Sequence, residues 1–416
     1  MTSSPLRAGS WAPVHGALAA SLPPSAELAH WRALFDEIGA GSSERERERI
    51  LPFAQVKLLK QARFGALRLT AADGGAGASF RQLYHLTLEL AAVDANVAHI
   101  FRNHFTVAEQ FARHPYDARS RQWQTAVRSG AVFGLASSEA GSNPAGGFAP
   151  DTRLLPEGDR FRLEGVKYYS TGTLFGDSML VRAATPDGRV AAVIIPTGRE
   201  GIEIVDDWDG AGQRLTASGT TRFHGVRVEA DEAVFDTPER GYGLAYSNTQ
   251  AQLFLTTVVA GIAKGALTDA VALVQRRKRS FYYAPTPVPA DDPLLHEAIG
   301  RLAANAFAAE AIILSAADAI DRASEARERG ETAEDLSAEA AKVAAQAKLV
   351  IDDLALKSAS LLFDVGGASA TERAANLDRH WRNARTIASH NPSSYKAKAI
   401  GALLVTGEPL PSKGFF

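Results

Sequence analysis

The histidines are the side chains of this sequence best suited to move a proton near neutral pH, and ten of them are present. Two stand out by their surroundings. His104 follows Asn103 in an otherwise apolar helical stretch, and His390 precedes Pro392, which ends regular structure. An imidazole at a helix end can titrate near neutrality and act as a base. The sequence therefore offers His104 and His390 as candidate proton carriers.

The sequence lacks the residues that several other kinds of catalysis need. The chain has no cysteine, which excludes a cysteine nucleophile, a zinc–thiolate site and a cysteine-ligated iron–sulfur cluster. It contains no HExxH or HxxxH pair for a zinc protease, so no metal site is predicted. GxSxG does not occur, which disfavours a serine hydrolase with a nucleophile elbow. Histidines, hydroxyl groups and an external cofactor remain.

Phosphate binding has two candidate features. GGAGAS (74–79) and VGGASA (365–370) are glycine-rich, but neither matches a P-loop or a dinucleotide-binding turn. QRRKRS (275–280) ends a long apolar helix. This basic cluster is either a solvated helix end, where cations suit the helix dipole, or a phosphate site, because arginine forks match phosphate oxygens. The sequence leaves both interpretations open.

Overall charge and hydropathy limit the partners. The 416 residues include 45 Lys and Arg against 47 Asp and Glu, a net charge of −2. Nothing in this balance indicates nucleic acid or an anionic membrane surface as a partner. No apolar run reaches the roughly 18–20 residues of a membrane span, and the patch at 17–20 is too short for a signal peptide. We expect a cytoplasmic protein.

Three segments must position these residues. Helical periodicity and capping patterns predict an N-terminal helical domain over residues 1–129. Short alternating segments separated by turn signals predict an antiparallel β-domain over 130–238. Alanine-rich helices of 30 or more residues predict a C-terminal four-helix bundle over 239–416. The predicted class is α+β, in an unusual helical–β–helical order.

Five segments resemble, in order, motifs of the acyl-CoA dehydrogenases. The resemblance extends from about residue 25 to 410. It implies an acyl-CoA dehydrogenase-like fold for the helical–β–helical order described above. The five are LASSEAGSN (135–143), VKYYSTG (166–172), GIAKGAL (261–267), the glycine turn at 366–367 and LDRHWRNAR (377–385).

The sequence departs from that family where a dehydrogenase needs its base. The family's carboxylate lies about nine residues after the arginine of its R-D-A motif, or on the long helix before G-I-A. Nine residues after Arg382 is Asn391, and no acidic residue occurs between Arg240 and Thr268. A carboxamide cannot accept a proton at neutral pH. An FAD-dependent dehydrogenase or oxidase is therefore the alternative rather than the leading hypothesis, and a non-enzymatic binding module is a third.

Three further segments resemble the two-component reduced-flavin monooxygenases of this fold, a branch that includes dibenzothiophene monooxygenase and sulfur-acquisition oxidoreductases. They are FRNHFT (101–106), 206–229 and 382–401. The resemblance implies a homotetramer to which a separate flavin reductase supplies reduced FMN, with FAD as the alternative. It also implies that O2 is captured as a flavin C4a-hydroperoxide, which oxygenates a small sulfur- or nitrogen-containing substrate.

The resemblance also implies catalytic and flavin-binding roles. Thr171 is expected to hydrogen-bond flavin N5, and Tyr169 to lie against the isoalloxazine ring. The pair Ser137–Ser138 is expected at the pyrimidine edge of the flavin. His104 and His390 match two histidines of the branch's pocket and are expected to handle a proton.

The remaining expected roles concern the flavin phosphate and the substrate. Arg279 matches an arginine that reaches the phosphate across a subunit interface, and Ser369 lies in the second phosphate loop. Leu135, Ile387 and Asn391 are expected to line the substrate pocket, which Leu135 and Ile387 make more apolar.

Overall fold

The computed structural model describes residues 25–113, 118–140, 150–237 and 244–411. The predicted domain boundary at 238/239 lies outside these residues, as does the apolar patch at 17–20. Within them the order is helices, then strands, then helices. The predicted helical–β–helical order is therefore confirmed.

Six helices form the first segment. Ser79 and Gln82 make the predicted capping box at the start of α4. Asp94 accepts hydrogen bonds from two backbone N–H groups of the first turn of α5. The helices are α1 (Ser25–Gly39), α2 (Ser42–Glu48), α3 (Phe53–Gln61), α4 (Phe80–Val93), α5 (Ala95–Phe111) and α6 (Ala118–Arg128).

Eight strands form one sheet, ordered β6-β7-β3-β2-β4-β5-β8, with β1 paired to β4. Five pairings are antiparallel, as predicted for this domain, and two, β1–β4 and β2–β4, are parallel. The strands are β1 (Phe133–Ala136), β2 (Arg153–Glu157), β3 (Arg160–Lys167), β4 (Ser178–Ala184), β5 (Val190–Pro196), β6 (Ile202–Ile204), β7 (Thr221–Val228) and β8 (Ala233–Phe235).

The C-terminal segment is helical, as predicted. Three long helices pack on one another, and α10 and α11 both pack against α9. The helices are α7 (Ser247–Arg276), α8 (Pro293–Glu328), α9 (Glu334–Gly366), α10 (Arg379–Ala388) and α11 (Ser393–Thr406).

The first and third segments share one hydrophobic core, which extends from α1 through α4, α5 and α7 to α9 and α10. A glycine permits a close crossing of two helices in this core. A Cβ on Gly261 would lie 2.5 Å from Ala91 Cβ and 2.7 Å from the Leu88 carbonyl oxygen, so α7 can approach α4 only without a side chain there. The two helical segments therefore support each other structurally.

Among the described residues, two helices are long and apolar enough to cross a membrane by length and composition alone. The sequence analysis did not predict a membrane span in either, because polar residues interrupt their apolar runs. Windows in α7 and α8 have mean hydropathies of 1.6 and 1.4. The α7 window is 61% buried and the α8 window 44% buried inside the protein. Such burial is typical of core helices in a bundle.

Candidate functional site

A strained turn follows β3. Tyr169 has a φ of +55°, and its ring is 65% exposed, with its centroid 6.0 Å from that of Trp208. Among the described residues, six non-glycine residues have positive φ, and three of them, Tyr169, Gln213 and Ala217, lie in this turn and the facing 207–220 loop. Backbone strain of this kind concentrates at functional sites because the surrounding structure must maintain it. We therefore locate the candidate site here.

Thr171 is held from several directions. Its Oγ1 shares a hydrogen bond of 2.6 Å with Ser218 Oγ, which in turn bonds Thr216 Oγ1 at 2.7 Å. Its carbonyl oxygen accepts a hydrogen bond of 2.8 Å from Asn103 Nδ2. Gly172 has a φ of +78°, and a Cβ there would meet the Ile100 carbonyl oxygen at 2.7 Å. The turn is thus fixed against α5 and against the 207–220 loop.

The serine pair lies beside the same turn. The Tyr168 N–H donates to the Ser138 carbonyl oxygen at 2.9 Å, and Lys167 Nζ donates to the Ser137 carbonyl oxygen at 3.3 Å. Lys167 also pairs with Glu139 at 2.5 Å. The structure therefore brings Ser137, Ser138, Tyr169 and Thr171 together.

Helix α5 contributes side chains that sequence reasoning missed. His99 Nδ1 lies 3.0 Å from Gln213 Oε1. Arg102 donates to Asn103 Oδ1 at 2.9 Å, and Asn103 in turn holds the Thr171 carbonyl oxygen. The available signal was their spacing, because residues 99, 102 and 103 share one face of an otherwise apolar helix. Burial lowers the pKa of His99 to about 4.

His104 faces the opposite direction and is fully buried. Its Nε2 lies 2.9 Å from the Gly65 carbonyl oxygen, and its Nδ1 accepts a hydrogen bond of 3.1 Å from the Phe133 N–H. Both nitrogens are thus bonded to backbone, which fixes a neutral tautomer. Burial lowers the pKa of His104 to about 4. The expected role as a proton carrier does not fit this geometry, in which His104 links α5 to β1.

We predict a pH signature from His104. Its pKa is lower in the folded protein than in the unfolded chain, so its contribution to stability is present above about pH 6.5 and is lost as pH falls toward about pH 4, by up to about 3 kcal/mol. His104→Gln should make the decline in the free energy of unfolding over this range shallower, as measured by urea unfolding. His30→Gln, at an exposed position on α1, is the control for the removal of a histidine. An unchanged slope in His104→Gln would contradict the neutral assignment.

His390 follows α10 and is exposed to solvent. Burial against neighbouring atoms, followed by Arg102, His99, Lys348 and Lys396, lowers the pKa of His390. The neighbouring cations favour the neutral imidazole over the protonated one. His390 therefore lies with His99, and not with His104, near the α5 face that holds the Thr171 turn.

Asn391 forms a carboxamide pair. Its Nδ2 donates to Gln252 Oε1 on α7, and both side chains are buried. Asn391 is the residue nine positions after Arg382, and Gln252 lies on the long helix before GIA. Both positions thus carry side-chain amides, which neither gain nor lose a proton at neutral pH.

The two apolar pocket candidates are core residues. Ile387 is 3% exposed and packs in the core shared by the helical segments. Leu135 is 9% exposed and packs with Val107 and Phe111 between the sheet and α5. This burial does not favour direct contact of either side chain with a substrate, so their pocket roles stay predictions.

The expected phosphate residues lie together but far from the turn. Arg277 donates to the carbonyl oxygens of Val365 and Arg279, and Ser369 Oγ donates to the Gly366 carbonyl oxygen. From Gln252 to the end of α7, 24 residues at about 1.5 Å each span roughly 36 Å. That distance exceeds the length of an FMN molecule. About 36 Å of α7 thus separates the Asn391–Gln252 pair from the segment that contains Arg279.

No cluster of His, Asp or Glu that could hold a metal ion occurs among the described residues. A cavity of about 30 Å³ lies between α5 and α10, lined by residues that include Asn96, His380 and Asn383. It has room for about one water molecule and is therefore too small for a substrate.

The C-terminal part of the chain matches the family model of the acyl-CoA dehydrogenase C-terminal domain over residues 253–395. The chain is 31% identical to a probable FMNH2-dependent monooxygenase, SfnC, of Pseudomonas putida, over 94% of this chain and 98% of the relative. It is 30% identical to a dibenzothiophene monooxygenase of Rhodococcus erythropolis, over 92% of each chain.

Solved structures agree with these relatives. TdsC from Paenibacillus sp. A11-2, in complex with FMN and indole, superposes with a TM-score of 0.83 at 28% identity, over 94% of this chain and 100% of TdsC. Methanesulfinate monooxygenase MsuC from Pseudomonas fluorescens gives 0.82 at 26% identity, over 94% and 99%. This chain belongs to the reduced-flavin monooxygenase branch of the acyl-CoA dehydrogenase superfamily.

Proposed function

We propose that this protein is the oxygenase of a two-component, FMNH2-dependent monooxygenase. A separate flavin reductase supplies reduced FMN, and the protein uses O2 to oxygenate a small sulfur- or nitrogen-containing substrate. The observation that carries the proposal is the Asn391–Gln252 pair, which stands where a dehydrogenase would need a carboxylate, beside the neutral His390.

The residues at the turn fit a flavin. Ser170 Oγ and Gln213 Nε2 are buried and have no hydrogen-bond partner among the described residues, so both remain available to a ligand. Tyr169 offers an exposed aromatic ring for stacking. Reduced flavin, when bound, supplies the two electrons that activate O2. We propose that Thr171 holds the ring at N5 and that Ser137 and Ser138 contact its pyrimidine edge.

A dehydrogenase remains the alternative, with FAD as cofactor. It would have to remove a proton next to a thioester carbonyl, which requires a base within hydrogen-bond reach. The carboxamide pair offers none, and His390 is the nearby basic group. A dehydrogenase would keep its flavin through purification and would bleach when an acyl-CoA is added. We expect neither behaviour here.

The distance between the Gln252 region and the expected phosphate residues bears on how the protein assembles. Because about 36 Å of α7 separates Gln252 from the phosphate residues, we propose that Arg279 and Ser369 serve the flavin of a neighbouring copy in a homotetramer. Analytical ultracentrifugation should find four chains per particle, and a stable monomer that binds FMN would contradict this proposal. We further propose that the protein is cytoplasmic, with neither nucleic acid nor membrane as a partner.

Oxygen labelling tests the function. The purified protein is mixed with a flavin reductase, NADH, FMN and 18O2, together with candidate substrates that include a sulfinate, a sulfone, a thiophene and an amine. One 18O atom should appear in a product, as measured by mass spectrometry. The reductase without this protein is the control. Absence of label from every product, with all the oxygen recovered as hydrogen peroxide, would overturn the proposal.

Thr171→Val should uncouple the reaction. The variant keeps the shape of the side chain but loses the hydroxyl that bonds Ser218 and that we assign to flavin N5. Loss of one such hydrogen bond corresponds to about 1–3 kcal/mol, or roughly a 5- to 100-fold rise in hydrogen peroxide relative to product. Thr106→Val, on the same helix as His99, is the matched control. Equal peroxide release by the variant and the wild type would remove Thr171 from this role.

A further inference from the structure

Helix α2 ends at an arginine whose backbone is strained. Arg49 follows α2 with a φ of +54° and, among the described residues, is one of six non-glycine residues with positive φ. Glycine is the usual residue in this conformation after a helix, because a side chain is sterically disfavoured there. An arginine at such a position indicates a role for its side chain.

The guanidinium of Arg49 holds the start of the 207–220 loop. Its Nη1 and Nη2 donate to the two carboxylate oxygens of Asp206 at 2.9 and 2.8 Å, and Nη2 also donates to the Trp208 carbonyl oxygen at 3.2 Å. A planar guanidinium fork fixes both the position and the orientation of the groups that it binds, which a single ammonium does not. Asp206 and the Trp208 backbone are thus held in one geometry relative to α2.

Helix α2 is itself fixed to the rest of the protein. Glu46 is 2% exposed, and its carboxylate accepts hydrogen bonds from Arg382 at 2.6 Å and from Asn376 at 2.7 Å. Its carbonyl oxygen accepts a hydrogen bond from Arg214 Nη1 at 3.1 Å. The end of α2 therefore binds the loop at two points, through Arg49 and through Glu46, and Arg49 acts from a rigid support.

Trp208 connects this geometry to the turn after β3. Its indole Nε1 donates to the Gln213 carbonyl oxygen at 2.9 Å, and its ring lies against Gly210, where a Cβ would meet Trp208 Cζ2 at 2.1 Å. The ring centroid is 6.0 Å from that of Tyr169 at an interplanar angle of 76°, which is an edge-to-face contact. Because the Tyr169 ring is 65% exposed, few other atoms of this chain can orient it.

We propose that Arg49 is a positioning residue for the flavin site: it holds Trp208, and through Trp208 it orients the Tyr169 ring on which the flavin would stack. The inference rests on the proposed placement of the flavin against Tyr169. It adds to that site a residue of the N-terminal helices. In this assignment Arg49 acts through Trp208 and Tyr169 and not by contact with the flavin.

Arg49→Gly separates this role from a purely structural one. Glycine adopts a φ of +54° without strain, so the variant keeps the end of α2 and loses only the guanidinium. The side chains of Arg49 and Asp206 are 32% and 27% exposed. Loss of a partly exposed, forked ion pair should lower the affinity for oxidised FMN about 3- to 10-fold, measured by quenching of flavin fluorescence. Unchanged FMN affinity would overturn the proposal.

Arg63→Gly is the matched control. Arg63 has a φ of +56°, and its side chain is exposed. The substitution makes the same change of side chain and of backbone freedom, so FMN affinity and the midpoint of thermal unfolding should match those of the wild type. Arg49→Lys should bind FMN with an affinity between those of Arg49→Gly and the wild type, because an ammonium can pair with Asp206 but lacks the fork. An equal loss of FMN affinity in Arg63→Gly and Arg49→Gly would contradict a specific role of Arg49.

A double-mutant cycle tests the path through Trp208. Trp208→Leu removes the ring that contacts Tyr169, so it should weaken FMN binding at least as much as Arg49→Gly does. When Trp208→Leu is already present, Arg49→Gly should weaken FMN binding by less than about twofold more, because both residues act on the same contact. Losses that simply add would show that Arg49 does not act through Trp208.

Near-ultraviolet circular dichroism follows the same path in the protein without flavin. The difference between the spectra of the wild type and Trp208→Leu isolates the signal of this indole. Arg49→Gly should lose a large part of that signal, because an aromatic ring gives it only when packing holds the ring in one orientation. A spectrum of Arg49→Gly identical to that of the wild type would contradict the proposal.

Tyr169→Leu separates this inference from the proposal on which it rests. It removes the aromatic ring itself and should weaken FMN binding at least as much as Arg49→Gly does. Weaker FMN binding by Tyr169→Leu together with unchanged binding by Arg49→Gly would contradict the role of Arg49 and leave the flavin placement intact. Unchanged FMN binding by Tyr169→Leu would contradict the placement of the flavin against this ring, and with it the role of Arg49.

Discussion

His390→Gln should lower product formation by about 100-fold or more, because general acid–base catalysis by one positioned side chain contributes about 10² to 10⁴ in rate. The imidazole is neutral over the usual assay range, since burial and the surrounding cations lower its pKa. A neutral imidazole can accept a proton, whereas a glutamine side chain of similar size cannot. The loss should appear in kcat, measured as labelled product per minute with saturating reductase.

FMN binding should survive this substitution, because the turn that contains Tyr169 and Thr171 is held by hydrogen bonds from Asn103 and Ser218. Flavin affinity, measured by fluorescence quenching, should therefore stay within about threefold of the wild type. His224→Gln, on the exposed face of β7, is the matched control and should be fully active. If His99→Gln abolished product formation while His390→Gln did not, His99 would be the proton carrier.

The fold was largely predictable because its elements follow local rules. Alanine-rich stretches longer than 30 residues form helices in most contexts, and the Ser79–Gln82 capping box marks a helix start in the sequence itself. The parallel pairing of β1 with β4 was not predictable. It depends on which edges meet after the chain has passed through β2 and β3, and no residue of β1 signals its partner.

The site was predictable in its residue types but not in its geometry. Two histidines lie five residues apart on α5, and sequence reasoning chose His104 over His99. Residues five apart on a helix differ in direction by more than a quarter turn, so only one of the two can face His390. The tertiary contact of His99 with Gln213, 114 residues later, decides which one does. The cationic surroundings of His390 are similarly assembled from α5, α9 and α11.

Glu109→Gln should lower the free energy of unfolding by about 3–5 kcal/mol, because it leaves the buried guanidinium of Arg68 without its carboxylate partner. Glu109 is 1% exposed. It accepts hydrogen bonds from Arg68 at 2.8 Å, Arg113 at 2.7 Å and the Tyr246 hydroxyl at 3.1 Å. Burial alone would raise its pKa, but the two arginines together lower the pKa of Glu109 to about 2. Its stabilisation is therefore present above about pH 4.5 and is lost as pH falls toward about pH 2.

Glu297→Gln provides the comparison for this effect. Glu297 pairs with Arg301 one turn later on the exposed face of α8, where an ion pair contributes about 0.5 kcal/mol or less. Urea unfolding of both variants at about pH 7 should separate them clearly, and at about pH 3 the difference should shrink, because Glu109 approaches its own pKa. Since Glu109 lies about two turns beyond Arg102 on α5, its loss should also loosen the helix that carries Arg102 and His99. Equal stability of the two variants at neutral pH would show that the buried network does not hold α5 in place.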